Sequence, residues 1–514
     1  VYATIEAAEK EERGFYRSTT RGRTWDRRNE YLSGGTGPHY YQELFASPTD
    51  ADRVYQIDVF LHVTLDGGAT FRRAETGRNK HTDNHVVWID PTNGRHLIVG
   101  CDAGLYETFD DGEAWRHVSN LPISQFYRVA VDHSVPFTNI LGGAQDLGTL
   151  RGPTRTLHVD GVRNQDWMVV LGSDGYQVAF DPDDHRFSYV EFQGGNVMRH
   201  DTSTMELRDI RPEPADGDPP ERWNWDTPIV ISPHRAETIY VASQRLWRSL
   251  DRGESWEPIS SDLTTDRNRL EMPTGDRVTS VDSVFDHAAM SQFCTISAVS
   301  ESPIEAGLLY VGTDDGLLHV SEDGGASWRQ MTQPAGLPDT AFVNDIEASQ
   351  HDADVLIVAA DDHKSGDYTP YLFESRDRGR SWASIRGDLP DDTVVWAIEQ
   401  DHERADLLFV GAERGVHASL DGGGSWHRLT KDMPTIAVRD LAIQRRDADL
   451  VAATFGRGFY VLDDYSALRG LGDRLDQPVA LCPVRDAWWY VPYRPMQADG
   501  QPTLGSTCLL YTSP

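Results

Sequence analysis

An eight-residue pattern recurs along this chain: a small hydroxyl residue, any residue, Asp, any residue, Gly, any residue, a small residue and an aromatic. Clear copies stand at 64–71 (TLDGGATF), 108–115 (TFDDGEAW), 249–256 (SLDRGESW), 321–328 (SEDGGASW), 375–382 (SRDRGRSW) and 419–426 (SLDGGGSW). A seventh, 18–25 (STTRGRTW), carries Thr20 where the others carry Asp66, Asp110, Asp251, Asp323, Asp377 and Asp421. Self-similarity at a fixed period is the mark of a repeat architecture, and it restricts the fold more than any other property of the chain.

Each copy reads as a hairpin turn. The Asp carboxylate accepts backbone N–H groups inside the loop, Gly supplies a positive φ and the hydroxyls close the turn. The final Trp or Phe is expected to pack back on the neighbouring strand. Paired apolar runs precede the turns, as in 308–321 (LLYVGTDDGLLHVS), 407–419 (LLFVGAERGVHAS), 97–108 and 239–249. Alternating β-branched and aromatic residues broken by Gly or Asp predict two short strands and a tight connection. The terminal aromatics fall 46 residues apart from Trp25 to Phe71, and 44 apart from Phe71 to Trp115 and from Trp382 to Trp426. That period suits one four-stranded propeller blade. The 141 residues between Trp115 and Trp256 leave room for two blades without the octapeptide, near 140–152 and 188–201. The 72 between Trp256 and Trp328 hold one blade and an insertion near 262–290, and 450–464 ends the series. The fold expected is an all-β propeller of about ten units of four antiparallel strands. A helical solenoid is excluded because no long segment has 3.6-residue periodicity.

Composition narrows the function classes. With 81 acidic and 48 basic residues the net charge is -33, a surface that repels phosphate backbones and anionic membranes. No nucleic-acid partner is expected, and no apolar run is long enough for membrane insertion. The four cysteines, Cys101, Cys294, Cys482 and Cys508, lack CxxC spacing, so neither a disulfide framework nor a cysteine zinc site is expected. The first three read as buried small hydrophobes. The repeat is already under way at Val1, so the natural start, with any signal peptide, is expected to lie outside this sequence. The final residues 508–514 (CLLYTSP) read as a sequence artefact.

The octapeptide resembles the Asp-box, or BNR repeat, of sialidases, xyloglucan-cleaving tandem propellers and the sortilin/Vps10 luminal domain. Segments without it extend the likeness: 81–91 (HTDNHVVWIDP), 142–153 (GGAQDLGTLRGP), 172–184 (GSDGYQVAFDPDD) and 222–234 (RWNWDTPIVISPH). Over residues 1 to about 468 the chain is similar to bacterial secreted proteins described as sortilin N-terminal-domain or glycosyl hydrolase BNR-repeat proteins. It departs from their pattern where QDLG (145–148) replaces QDNG and GSDG (172–175) replaces GGDG. The resemblance implies an extracytoplasmic place and a tandem-propeller plan. Residues 1–125 are then the last three blades of a truncated N-terminal propeller, 126–468 a complete seven-bladed propeller, and 469–514 an irregular tail. A single ten-bladed ring, as in sortilin, competes with that division.

Candidate chemistry sits outside the octapeptides, whose repetition implies a structural task. Asp146, Asp174 and Asp226 stand in glycine- or tryptophan-rich connections and are the candidate acid and base for glycoside hydrolysis. An inverting pair would lie roughly 6.5–9.5 Å apart. Gln145, Trp167, Trp223 and Trp225 are candidate ligand contacts, the indoles as stacking platforms for sugar rings or peptide side chains. His81, Asp83 and His85 share one strand face by parity and form a candidate metal set. The P-loop, HExxH and GxSxG motifs are absent, and no nucleotide or redox cofactor is expected. Two readings remain: a scaffold binding a peptide, protein or glycan, and a glycoside hydrolase. The broad sortilin-like resemblance favours binding.

Overall fold

Alternation of Val, Ile, Leu and Tyr with polar residues, broken every few positions by Gly and Asp, folds the chain into short antiparallel strands throughout. The computed structural model describes residues 1–492 except 6, 8, 31–42, 77–78, 275–276, 279–291, 431 and 475–476. The terminal segment 508–514 lies outside these. The described residues divide into two compact units, 1–121 with 268–290, and 122–267 with 291–514.

The first unit holds three blade-like sheets, numbered here in chain order. Blade 1 has strands Tyr2–Ile5, Gly14–Arg17 and Asp26–Asn29; blade 2 has Leu44–Ala46, Val54–Gln56, His62–Thr64 and Arg72–Arg73. Blade 3 has Asn84–Ile89, Leu97–Cys101, Gly104–Thr108 and Arg116–His117. Blades 2 and 3 bury Tyr55, Ile57, Leu61 and Val63 against Val87, Leu97 and Val99.

The second unit is a closed seven-bladed propeller, blades 4 to 10. Its inner strands are Phe126–Val131, Gly175–Phe180, Ile229–Ile231, Ile296–Glu301, Phe342–Ala348, Val395–Gln400 and Val438–Gln444, each in contact with the next. Blades 4 to 9 have four strands and blade 10 has three among the described residues. The ring closes between blades 10 and 4. Gln125 bridges to Phe455, Val129 N donates to Asp440 Oδ2 at 2.8 Å, and Phe126, Ile140, Val451 and Phe459 share one core. This closure rules out the ten-bladed ring: the inner strand of blade 10 is already satisfied by that of blade 4.

The octapeptide forms the turn that leads into the outermost strand of its blade. In blade 6, Ser249 Oγ accepts from Gly253 N (2.8 Å) and donates to Asp251 (2.8 Å). Asp251 in turn accepts from Ser255 N (2.9 Å) and Ser255 Oγ (2.6 Å). The same bonds recur around Asp66, Asp110, Asp323, Asp377 and Asp421, apart from the hydroxyl bond to position seven where that residue is Ala114. In blade 1, Thr20 Oγ1 takes the place of the carboxylate and accepts from Thr24 N at 2.8 Å.

The indole does not do what the sequence led us to expect. It crosses to the preceding blade, where its N–H donates to a carbonyl just beyond the outer strand. Trp115 reaches Ala74 (3.2 Å), Trp256 Ile210 (2.7 Å), Trp328 Ile259 (2.8 Å), Trp382 Thr332 (2.7 Å) and Trp426 Ile385 (3.1 Å). The turn glycine makes this approach possible. Gly253 has φ +86° and a Cβ there would stand 2.7 Å from Ile210 Cδ1. Each of these five octapeptides is therefore a weld between blades as well as a hairpin turn, whereas Trp25 donates to Gly22 of its own turn.

Candidate functional site

Five of the seven inner strands of the propeller open with a one-residue register shift, between Phe126 and Arg128, Ile296 and Ala298, Val343 and Asp345, Val395 and Ala397, and Val438 and Asp440. A sixth shifts between Gly175 and Val178. Such bulges leave residues unpaired and re-aim their side chains. Those residues are Tyr127, Tyr176 with Gln177, Ser297, Asn344, Trp396 and Arg439. Ser297 Oγ and Asn344 Nδ2 turn sideways and bond the next blade, to Val343 O (2.7 Å) and Val395 O (2.9 Å). The others gather at one end of the ring. The connections between second and third strands, and between consecutive blades, lie at this end; the octapeptide turns lie at the other.

The rings there form a continuous array. Tyr176 meets Trp225 edge-on (6.4 Å between centroids) and Tyr127 at 4.4 Å; Tyr127 meets Phe455 at 5.4 Å. The Arg439 guanidinium lies 3.6 Å from the Trp396 ring centroid and 4.5 Å from that of Phe455, a cation–π sandwich. Trp396 Nε1 donates to Glu413 (3.1 Å) and its ring meets His363 at 5.3 Å. Arg439 makes no ion pair among the described residues, and its Nε is buried without a hydrogen bond. Burial lowers the Arg439 pKa, with Glu413 pulling the other way.

Immediately below, the position after the bulge carries charge in blades 4, 8 and 10, as Arg128, Asp345 and Asp440. Arg128 Nε and a terminal nitrogen lie 2.8 and 2.7 Å from Asp226 Oδ2, and another terminal nitrogen lies 4.0 Å from Asp440. Burial would lower the Arg128 pKa, but Asp226 and Asp440 lift it above its ordinary value. Asp440 is itself raised by burial to about 7. Asp345 accepts from Ile346 N (2.8 Å) and Ile398 N (3.0 Å), and burial raises its pKa as well. Deeper on the same strands, burial and Asp345 raise Glu347 to about 8. Glu399, on the adjacent blade, is pushed well above the carboxylate range by burial and then by Glu347.

Several residues singled out in the sequence converge on this end. Gln145 accepts from the Tyr127 hydroxyl and from Gln125 Nε2 (2.8 Å). Asp146 sits at φ +60° in the adjoining turn and its N–H donates to Asp174 Oδ1 (2.9 Å). Asp174 N–H donates to Gln193 (3.1 Å). Trp225 is 38% exposed beside Tyr176, and Asp226 pairs with Arg128.

Other expectations require correction. Trp223 is 9% exposed and packed with Tyr189, Val197, Ile239 and Trp247 in the core between blades 5 and 6, so it offers no platform. Trp167 stacks on Phe459 of blade 10 (6.1 Å, 13° between planes) and is part of the ring closure. His81, Asp83 and His85 do not share a strand face. Asp83 takes φ +59°, the strand begins at Asn84, and only His85 lies in it. His81 Nδ1 faces Thr82 O (3.1 Å), Asp83 accepts from Thr82 Oγ1 and His85 pairs with Asp102. No group of three metal-ligating side chains is assembled among the described residues. Cys101 and Cys294 are buried, but Cys482 is half-exposed. No described helix is long and apolar enough to cross a membrane.

Sequence reasoning missed Tyr127, Tyr176, Trp396, Arg439 and Phe455. A signal was present: strict alternation fails in FYRVAV, FVNDIEA and VRDLAIQ, where two non-core residues stand together at the bulge.

No protein-family profile and no curated protein matches the chain. Among solved structures it is similar to the GH74 enzyme of Niastella koreensis, at 13% identity and TM-score 0.26, over 85% of this chain and 79% of that one. It is also similar to the computationally designed Ika8 protein, at 12% identity and TM-score 0.37, over 76% of this chain and 99% of that one.

Proposed function

We propose that the chain is an extracytoplasmic binding scaffold that captures a peptide, protein or glycan segment at the bulged end of its seven-bladed propeller. One observation carries this reading: Arg439, sandwiched between buried Trp396 and half-buried Phe455, keeps a guanidinium without an ion-pair partner among the described residues, in an aromatic array that reaches solvent at Trp225. Aromatic and arginine anchors of this kind dominate binding energetics. The candidate catalytic carboxylates, by contrast, are engaged in holding the fold: Asp174 caps the Asp146 turn and Asp226 grips Arg128.

A glycoside hydrolase is the second reading. Asp440, with its pKa near 7, and Asp226 flank Arg128 from two blades. Two carboxyls in one site, one of them raised toward neutral pH, suit acid–base hydrolysis.

The test is a panel of soluble polysaccharides and peptide pools followed by calorimetry and a reducing-sugar assay. The binding reading expects a ligand whose affinity falls at least about tenfold in Arg439→Ala and Trp396→Ala, with no sugar released. Reducing sugar that appears with the native chain and vanishes in Asp226→Asn and Asp440→Asn would overturn it in favour of the hydrolase.

A further inference from the structure

In blade 8 the second and third strands, Leu356–Asp362 and Asp367–Ser375, outrun their counterparts in blade 9, Leu408–Ala412 and Gly415–Ser419. The turn His363–Ser365, closed by Gly366 at φ +84°, therefore stands at the rim of the bulged end. There His363 is held by its own hairpin. Its Nδ1 bonds the Asp361 carboxylate, which also accepts from the His363 backbone N–H at 3.1 Å. Asp361 is 2% exposed; burial works to raise its pKa, but the bonds from His363 outweigh it and hold the carboxyl below its ordinary value. A buried carboxylate on Nδ1 fixes the proton on that nitrogen and leaves Nε2 with its lone pair. Nε2 has no hydrogen-bond partner among the described residues, and the side chain is 34% exposed.

The imidazole also touches the candidate site. It meets Trp396 of blade 9 edge-on, with 5.3 Å between ring centroids, and the same indole carries the Arg439 guanidinium of blade 10 at 3.6 Å. The other charges around this group are Asp362 and Lys364 on the His363 turn and Glu413, which accepts from Trp396 Nε1. Three consecutive blades thus bring an oriented base and an unpaired cation to one indole.

We propose that this end of the propeller hydrolyses a carboxylic ester, with His363 as the general base that activates water, Asp361 as the positioning residue that orients its ring, and Arg439 as the cation facing the oxyanion. The proposal rests on the reading of the bulged end as the ligand site. Nε2 takes one proton from a water whose oxygen bonds the ester carbonyl carbon, and the carbonyl π pair moves onto its oxygen. The C–O bond to the alcohol then breaks, its electron pair stays with the leaving oxygen, and the imidazolium returns the proton there. An acid and an alcohol result. An ester suits a single imidazole because an alkoxide leaves far more readily than an amide anion.

Hydrolysis of p-nitrophenyl acetate by the full chain tests this. His363→Gln is expected to lower kcat/KM about hundredfold or more. His427→Gln, on an exposed imidazole of the outer strand of blade 9, should leave it unchanged. Asp361→Asn should lower kcat and keep KM, because it unsettles the ring without touching substrate. The native rate should climb with pH to a plateau, as a neutral imidazole base requires, and should drop in deuterium oxide. Should Asp361→Asn unfold, as circular dichroism will show, His363→Gln and the isotope effect decide. Equal rates in the native chain and His363→Gln, no hydrolysis above buffer, or a nitrophenolate burst from acylation of the imidazole overturns the proposal. Ligand affinity that falls in Arg439→Ala while hydrolysis ignores His363 removes this inference alone. Hydrolysis that depends on His363 while Arg439→Ala leaves every affinity unchanged removes the binding reading alone.

Discussion

Trp167 and Phe459 stand 292 residues apart, on blades 4 and 10, and stack with ring centroids 6.1 Å apart. Trp167 immediately precedes the outer strand of its blade, as Trp256 and Trp328 precede theirs, and it packs on the blade before it in the ring. Blade 4 lacks the octapeptide, yet it meets its neighbour with an indole at the corresponding place.

Trp167→Ala is therefore expected to cost about 3–5 kcal/mol, because the cavity opens at the seam where the ring closes. Chemical denaturation followed by far-UV circular dichroism checks this. A loss below about 1 kcal/mol, the scale of an ordinary surface substitution, would mean that the seam does not depend on the stack.

The octapeptide hydroxyl is the next test. Ser249 Oγ is buried and bonds both Gly253 N and Asp251. Ser249→Ala leaves Gly253 N unsatisfied and should cost about 1–3 kcal/mol. Thermal unfolding of the variant measures it, and Ser249→Thr should retain most of the stability, since Thr64 and Thr108 fill the same position.

The inner-strand carboxyls set a pH dependence. Glu347 near 8, Asp440 near 7 and Glu399, pushed well up by burial, all lie above their unfolded values. A raised folded pKa gives stability that is complete below the unfolded pKa and is lost as pH rises through the folded one. Melting temperature should therefore fall from about pH 5 to about pH 9. Glu399→Gln should flatten that fall by removing one of the carboxyls whose folded pKa is raised. The octapeptide carboxylates act in the opposite direction. Hydrogen bonds from Thr70 and Ser381 hold Asp66 and Asp377 near 2, so their contribution survives until strongly acid pH.

The thiols offer an independent check on burial. Burial pushes the Cys294 thiol up to about 11 and also raises that of Cys101. Alkylation at neutral pH with peptide mapping should modify Cys482 early and leave Cys101 and Cys294 untouched until the protein unfolds. Early labelling of Cys294 would contradict the packing of Thr265 and Arg267 around it.

Much of the repeat was legible because its causes are local. Ser249, Asp251, Gly253 and Ser255 complete their bonds within one octapeptide, so their spacing alone reports the turn. The candidate site was legible only in part. Gln145, Asp174, Trp225 and Asp226 do gather at the bulged end, since Gly- and Asp-rich connections had marked the loops there. Trp223 and Trp167 were misjudged because an indole beside a loop looks the same in sequence whether it faces solvent or a neighbouring blade. The triad at 81, 83 and 85 was misjudged because parity holds only while the strand is regular, and Asp83 at positive φ breaks it.

By itself, the sequence determined the blade: its strands, its third turn and its period, all encoded in contacts among residues near one another along the chain. The tertiary structure alone decided where the ring shuts, which blade each tryptophan joins, and which side chains the bulges send to the propeller's open end. Those outcomes depend on packing between residues dozens to hundreds of positions apart, and no local pattern specifies which distant surface a side chain will meet.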